Sequence, residues 1–311
     1  MSRFISDDYF FKFWQKKPPG KIDREELFGL SYPEVVALAQ NVVLGSAEGN
    51  RFGLKTGFPT SLPGQPMPDG KKLRQIQTQK LLVSRKLQVP IMRHFGEMAP
   101  AKIRSAVDIR GWSRIETLRK SGKPIVFLNS HFGPALLVPL FLERFGFSVV
   151  HFGALDILGS FRLEGYKNLE WVPTSSTFTA QLVAIGVNSL KSCDSIHLTG
   201  DGLTGSSAQL RPFLGKQRPV PEGAPYMAIV SGAAVVPTFL SIGDNGALTL
   251  QFCEPLRDIG GSFKRQERMD AMIQEYLHLL ESRWLGDFGN VPNGLFKQHR
   301  AMTDTVEQTV S

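Results

Sequence analysis

Cysteine is almost missing from this 311-residue chain: Cys193 and Cys253 are the two present, far apart and in no metal-ligand spacing. That argues against a disulfide framework and against a metal site, and makes a reducing compartment the default. No G-x-S-x-G, P-loop or H-E-x-x-H occurs, so an esterase elbow, a nucleotide hydrolase and a zinc peptidase have no support. Negative charge is the scarcer sign, with 28 Asp and Glu against 36 Lys and Arg, a formal net charge of +8. This favours an acidic partner such as nucleic acid, an anionic lipid surface or a phosphorylated substrate. No nucleic-acid recognition motif accompanies the charge, so nucleic acid is not expected as a partner. Long apolar runs are lacking as well. The amino-terminal stretch carries Asp7 and Asp8 and has no continuous apolar core, unlike a signal peptide or a spanning helix. Two long, weakly charged windows, 124–142 and 223–243, are interrupted by Pro and Gly where a strand would meet a helix, and read as buried α/β core. No transmembrane segment is expected.

What is present is an alternation of short apolar strands with helical spacings. Strands are expected over 124–128, 147–152, 169–172, 195–198, 234–240 and 248–252. Helices are expected over 112–121, 135–145, 156–166, 178–190, 226–231 and 264–284. Strands separated by helices imply crossover connections, hence an α/β fold with a mostly parallel twisted sheet flanked by helices. It occupies 105–300, followed by a polar tail over 301–311. Residues 1–104 form a helical, basic amino-terminal region. Within it, aromatics from Tyr9 to Trp14 precede Lys16 and Lys17, a pattern that fits either an interfacial anchor or a helix packed on the domain. Two short helices are suggested over 25–44, a long Gly- and Pro-rich loop over 45–72, and a basic amphipathic helix over 71–93.

The organising stretch is 123–145. Ile125, Val126, Phe127 and Leu128 make a buried strand, Asn129 and Ser130 end it, and His131 stands where the chain turns into a helix. A titratable group at the carboxyl end of a buried strand is where open α/β folds hold ligands. Further on, Gly200, Gly202 and Gly205 match G-x-G-x-x-G. Pro212, Gly215, Pro219 and Pro221 follow instead of the helix a dinucleotide site requires, so a nicotinamide or flavin site is not expected.

Asn129-Ser130-His131-Phe132-Gly133 after a hydrophobic strand resembles the signature block of the lysophospholipid acyltransferase superfamily, in particular its bacterial lipid A late (lauroyl/myristoyl) acyltransferase branch. Asp201-Gly202-Leu203-Thr204-Gly205, Arg211 to Gly215, Gly223-Ala224-Pro225 and Gly232 to Pro237 resemble later blocks of that branch in order and approximate spacing, over about residues 105–255. The resemblance implies transfer of a fatty acyl chain from acyl-carrier protein or acyl-CoA to a hydroxyl of a glycolipid or related amphiphile. The acyl donor is then a cosubstrate, with no bound cofactor. It also implies peripheral, cytoplasmic-face association with an anionic inner membrane.

On that resemblance His131 is the general base, since neutral imidazole suits removal of a hydroxyl proton. Asp201 is expected to position the histidine or the acceptor, Arg211 to contact phosphate, and Asn129, Gly133 and Glu222 to contact substrate. An acyl-chain groove is expected at the strand ends near His131. One position departs from the family. The carboxylate expected five residues after the histidine, which would hold the ring's tautomer, is replaced by Leu136. Three readings follow: another acid, Glu143, Asp201 or Glu222, approaches in space; or His151 and Asp156, themselves an H-x4-D match, form the pair; or the chain binds lipid without catalysis.

Overall fold

A computed structural model describes residues 3–6, 31–41, 73, 76, 80, 94–154, 159–174, 179–192, 195–202 and 208–302. In chain order the strands are β1 (Arg3–Ile5), β2 (Val107–Arg110), β3 (Ile125–Asn129), β4 (Val149–Gly153), β5 (Phe161–Leu163), β6 (Leu169–Pro173), β7 (Ser195–Thr199), β8 (Gln209–Phe213), β9 (Lys216–Val220), β10 (Ala234–Ile242) and β11 (Leu248–Phe252). The helices are α1 (Tyr32–Asn41), α2 (Pro100–Ala106), α3 (Trp112–Lys120), α4 (Val138–Arg144), α5 (Thr179–Ser192), α6 (Gly223–Ser231), α7 (Arg265–Gly286) and α8 (Asn293–Arg300).

Nine strands form one sheet in the order β1-β5-β6-β4-β7-β3-β10-β11-β2. Its centre, β6-β4-β7-β3-β10, is parallel throughout. Among the described residues of this sheet, the antiparallel pairs are β5–β6 and β10–β11, on either side of that centre. The fold is therefore α/β, a mostly parallel sheet flanked by helices. β3 lies beside the middle strand β7 and is buried on both faces, which is why Ile125 to Leu128 read as a continuous apolar run. Ile125 and Phe127 join Ile115 of α3 and Val138 and Phe141 of α4 in one core layer. Val126 and Leu128 face the other way, toward Leu190 of α5, Met227 and Ala228 of α6, and Met272 and Leu277 of α7. Burying a Leu- or Phe-sized side chain contributes about 1.5–3 kcal/mol, so this double-sided layer is the main source of stability around the site.

The expected helix over 156–166 is not formed: Phe161–Leu163 is the strand β5, and 155–158 lie outside the described residues. Phe161 and Leu163 are buried while Arg162 turns away, a period of two that the longer sequence window concealed. Pairing to β1 on one side and β6 on the other fixes the extended form. The prolines at 212 and 219 sit in a two-stranded hairpin, β8–β9, separate from the main sheet, where a missing ladder donor is tolerated. The aromatic and basic stretch over 9–19, the loop over 45–72 and the start of the region over 25–30 lie outside the described residues. Of the basic helix expected over 71–93, Leu73, Ile76 and Lys80 are described, helical and buried. Among the described residues no helix is long and apolar enough to cross a membrane.

Candidate active site at the carboxyl ends of β3 and β7

Parallel pairing sets Asn129 of β3 beside Thr199 of β7, so the loops leaving both strands emerge side by side. His131 leaves the first and Asp201 the second. The Asp201 side chain is fully buried, while the His131 side chain is 49% exposed. One carboxylate takes three hydrogen bonds from the histidine. The His131 amide donates to both oxygens at 2.9 and 3.0 Å, and ring Nδ1 lies 2.7 Å from Oδ1. An ionised carboxylate only accepts, so Nδ1 carries the proton and the neutral ring keeps its lone pair on Nε2.

Electrostatics support that assignment. The Asp201 charge holds the His131 imidazole above its ordinary 6.5, against the opposing effects of burial and of the Arg218 cation. Burial pushes Asp201 upward, but the facing His131 ring, the hydrogen bonds and Arg218 bring its carboxyl below the usual carboxylate range.

The turn that presents His131 is fixed from several directions. The Asn129 carbonyl accepts from the Gly200 amide and the Tyr276 hydroxyl, both at 2.8 Å. The Asn129 side chain accepts from the Ser130 amide at 2.8 Å and donates to the Ala135 carbonyl at 3.2 Å. The Ser130 hydroxyl accepts from the Phe132 amide at 3.0 Å. Gly133 has φ +59, and a Cβ built there would lie 1.9 Å from the Leu240 carbonyl oxygen. Only glycine permits that approach. The approach exists because β10 runs on to Ile242, four residues beyond Thr238, the partner of Asn129. The Gly133 amide also donates to the Asn290 carbonyl at 2.8 Å. Asn290 clamps the overhang in turn, accepting from the Ile242 amide at 3.0 Å and donating to its carbonyl at 3.1 Å.

The other residues singled out from sequence fall in three places. Leu136 is half-buried and packs against the core layer under α4, and Glu143 accepts from the Asn168 amide at 3.3 Å. Arg211 pairs with Asp270 and lies 3.5 Å from Glu222, and Gln266 donates to both acids. Arg211 and Glu222 are thus brought to each other, not to His131. His151 is buried, its Nδ1 at 2.7 Å from Nδ1 of His197 on the adjacent strand, and burial pushes it down to about 3. Asp156 lies outside the described residues.

Tyr276, Asn290, His197 and Arg218 take part in or around the site without having been singled out. Tyr276 sat in the apolar stripe of a long helix, and its only distinguishing signal was a hydroxyl on a buried face. Arg218 and Asn290 carried none, because their roles depend on a hairpin and a short turn folding back from distant sequence.

A narrow apolar crevice lined by Leu128, Val220, Ala224, Leu256, Met272 and Ile273 reaches Gly200 and Tyr276, next to the site. Its free volume is about 10 Å³, the space of a single water position. A larger cleft of about 480 Å³ is lined among others by Ser241, Asn245, Phe288 and Gly289, the last adjacent in sequence to Asn290. No metal-holding group of three or more His, Cys, Asp or Glu occurs among the described residues.

No protein-family model matches the sequence, and no curated protein matches it. Among solved structures, the chain is similar to the 1-acyl-sn-glycerophosphate (LPA) acyltransferase PlsC from Thermotoga maritima. The identity is 14% over 64% of this chain and 83% of that one, with a TM-score of 0.36, a likeness too slight to carry a conclusion about function.

Proposed function

We propose that the protein is an acyltransferase that moves a fatty acyl chain from an acyl thioester, on acyl-carrier protein or coenzyme A, to a hydroxyl of a glycolipid or related amphiphile. The observation that carries this reading is the half-exposed His131 ring held through Nδ1 by a buried Asp201 carboxylate from the neighbouring strand. That is the arrangement of a general base with its orienting acid. Asp201 thereby supplies from the loop after β7 what Leu136 cannot supply from the turn before α4.

In the proposed reaction, Nε2 of neutral His131 takes the acceptor hydroxyl proton as the oxygen attacks the thioester carbonyl. The Nδ1–H stays on the ring, and Asp201 stabilises the imidazolium without taking that proton. When the tetrahedral adduct collapses, the carbon–sulfur bond breaks and the imidazolium returns the proton to the departing thiolate. The products are an ester and a free thiol. No metal or bound organic cofactor enters these steps. The crevice beside Gly200 suits the acyl chain in chemistry, but its present volume requires the chain to part the side chains, and Met272 is the most pliable of them.

A second reading is favoured by Leu136 at the family's acid position: the same fold binding lipid without turnover. One experiment separates the two. The purified chain is incubated with radiolabelled acyl-carrier protein or acyl-CoA thioester and bacterial membrane extract, wild type beside His131→Ala and His151→Ala. Transfer by wild type and by His151→Ala, with loss in His131→Ala, is the expected result. Loss in His151→Ala alone moves the base to that residue, and no transfer by wild type leaves the lipid-binding reading.

A further inference from the structure

We propose that Arg218 is a positioning residue for the His131–Asp201 pair, pinning the Asp201 main chain and supplying the buried positive charge under which His131 is free to take a proton. This rests on the reading of His131 as the base. Arg218 stands on β9, in the hairpin outside the main sheet, and its side chain is completely buried. Its Nη2 donates to the Asp201 carbonyl at 2.5 Å. The guanidinium lies over the rings of Phe213 and Trp284, 5.2 and 5.6 Å from their centroids. Nε and Nη1 have no partner among the described residues.

A buried cation with unspent donors is unfavourable unless its charge is used, and an apolar side chain of similar volume would fill the same slot. Two aromatic faces and the Asp201 carboxylate offset its burial. The carbonyl bond holds Asp201 from one side and the His131 amide holds the carboxylate from the other, so the acid cannot swing from the ring.

The charge has a separate consequence. Around His131 stand Asp201 from the loop after β7, Arg218 from β9, Tyr276 from α7, His299 from α8 and His151 from β4. Burial keeps the Tyr276 phenol protonated and drives His151 and His299 toward the neutral form. Asp201 and Arg218 are then the charges that matter, and they act on His131 in opposite directions. Asp201 alone would hold the ring as imidazolium further into the neutral range; Arg218 counters it.

The test is an NMR titration of the six histidines, labelled with carbon-13 at Cε1, in the full chain, with His131 assigned by its loss in His131→Ala. Arg218→Met, which keeps the slot filled, is expected to raise the His131 midpoint by about 0.5–1 pH unit, and Arg218→Lys to leave it within about 0.2. An unchanged or lowered midpoint in folded Arg218→Met overturns the proposal, as does an equal rise in both variants. If Arg218→Met does not fold, Asp201→Asn decides: with burial and Arg218 left uncountered, the midpoint is expected below 6.5, and one at or above 6.5 refutes it. The readout needs no turnover, so an unchanged midpoint beside intact acyl transfer overturns this inference alone, whereas the expected midpoints without acyl transfer overturn the proposed function and leave only the electrostatic coupling of Arg218 to His131.

Discussion

Lowering the pH from 7.5 to 5.5 should destabilise this fold through two imidazoles that play no part in the proposed chemistry. His151 and His197 are both fully buried, on neighbouring strands, with their Nδ1 atoms 2.7 Å apart. Burial pushes His151 down to about 3 and His197 well below its ordinary 6.5. Above 6.5 both are neutral whether the chain is folded or not, and the linkage is silent. Below 6.5 the unfolded chain binds two protons that the folded chain refuses, so stability is lost as pH falls toward the folded values. Each group contributes a limiting slope of about 1.4 kcal/mol per pH unit, and the pair should remove about 2–3 kcal/mol between pH 7.5 and 5.5. His131 acts the other way, since its raised value favours the folded state below 6.5 and that contribution is lost as pH rises through it. The diagnostic quantity is therefore a difference between variants. Urea unfolding followed by tryptophan fluorescence, with Trp171 packed edge-on against His151 at 4.1 Å, gives the stability at each pH. The double replacement His151→Gln with His197→Gln should lose about 2–3 kcal/mol less over this interval than wild type, whatever its stability at pH 7.5. An equal loss in both proteins would refute the reasoning.

Gly133→Ala should destabilise the protein by about 2 kcal/mol or more, because the new methyl meets the Leu240 carbonyl in a left-handed backbone; chemical denaturation measures it, and an unchanged midpoint would contradict the approach described. Asn290→Ala leaves the Ile242 amide and carbonyl unanswered and should lose about 2–4 kcal/mol by the same assay. Asp201→Asn should lower acyl transfer at pH 7.5 by about 100-fold or more, with the chain still folded by circular dichroism. The wild-type rate should rise with pH through a midpoint above 6.5, as His131 loses its proton, and a rate falling over that range would count against His131 as base.

The central strand was legible because burial on both faces leaves one unmistakable mark, an uninterrupted apolar run ending at Asn129. His131 was legible because the run stops there and helical spacing begins after it. Asp201 could be placed among the candidate acids but not chosen, since the pairing of β3 with β7 that sets them side by side is a sheet-order property no local window holds. β5 was misread because three extended residues inside a longer stretch follow the partner strands, not their own spacing. Arg218 was invisible for a related reason: an arginine between prolines looks solvated until the hairpin folds it between Phe213 and Trp284.

The overhang of β10 means that the imidazole is located by main chain resting on main chain. Four extra residues carry that strand about 13 Å past its neighbour, and the histidine loop leans on the ledge through a residue with no side chain. Side chains bordering the site can change size, and with them the preferred alcohol or fatty chain, without displacing the base. A single-residue slip of the ledge would carry the base with it.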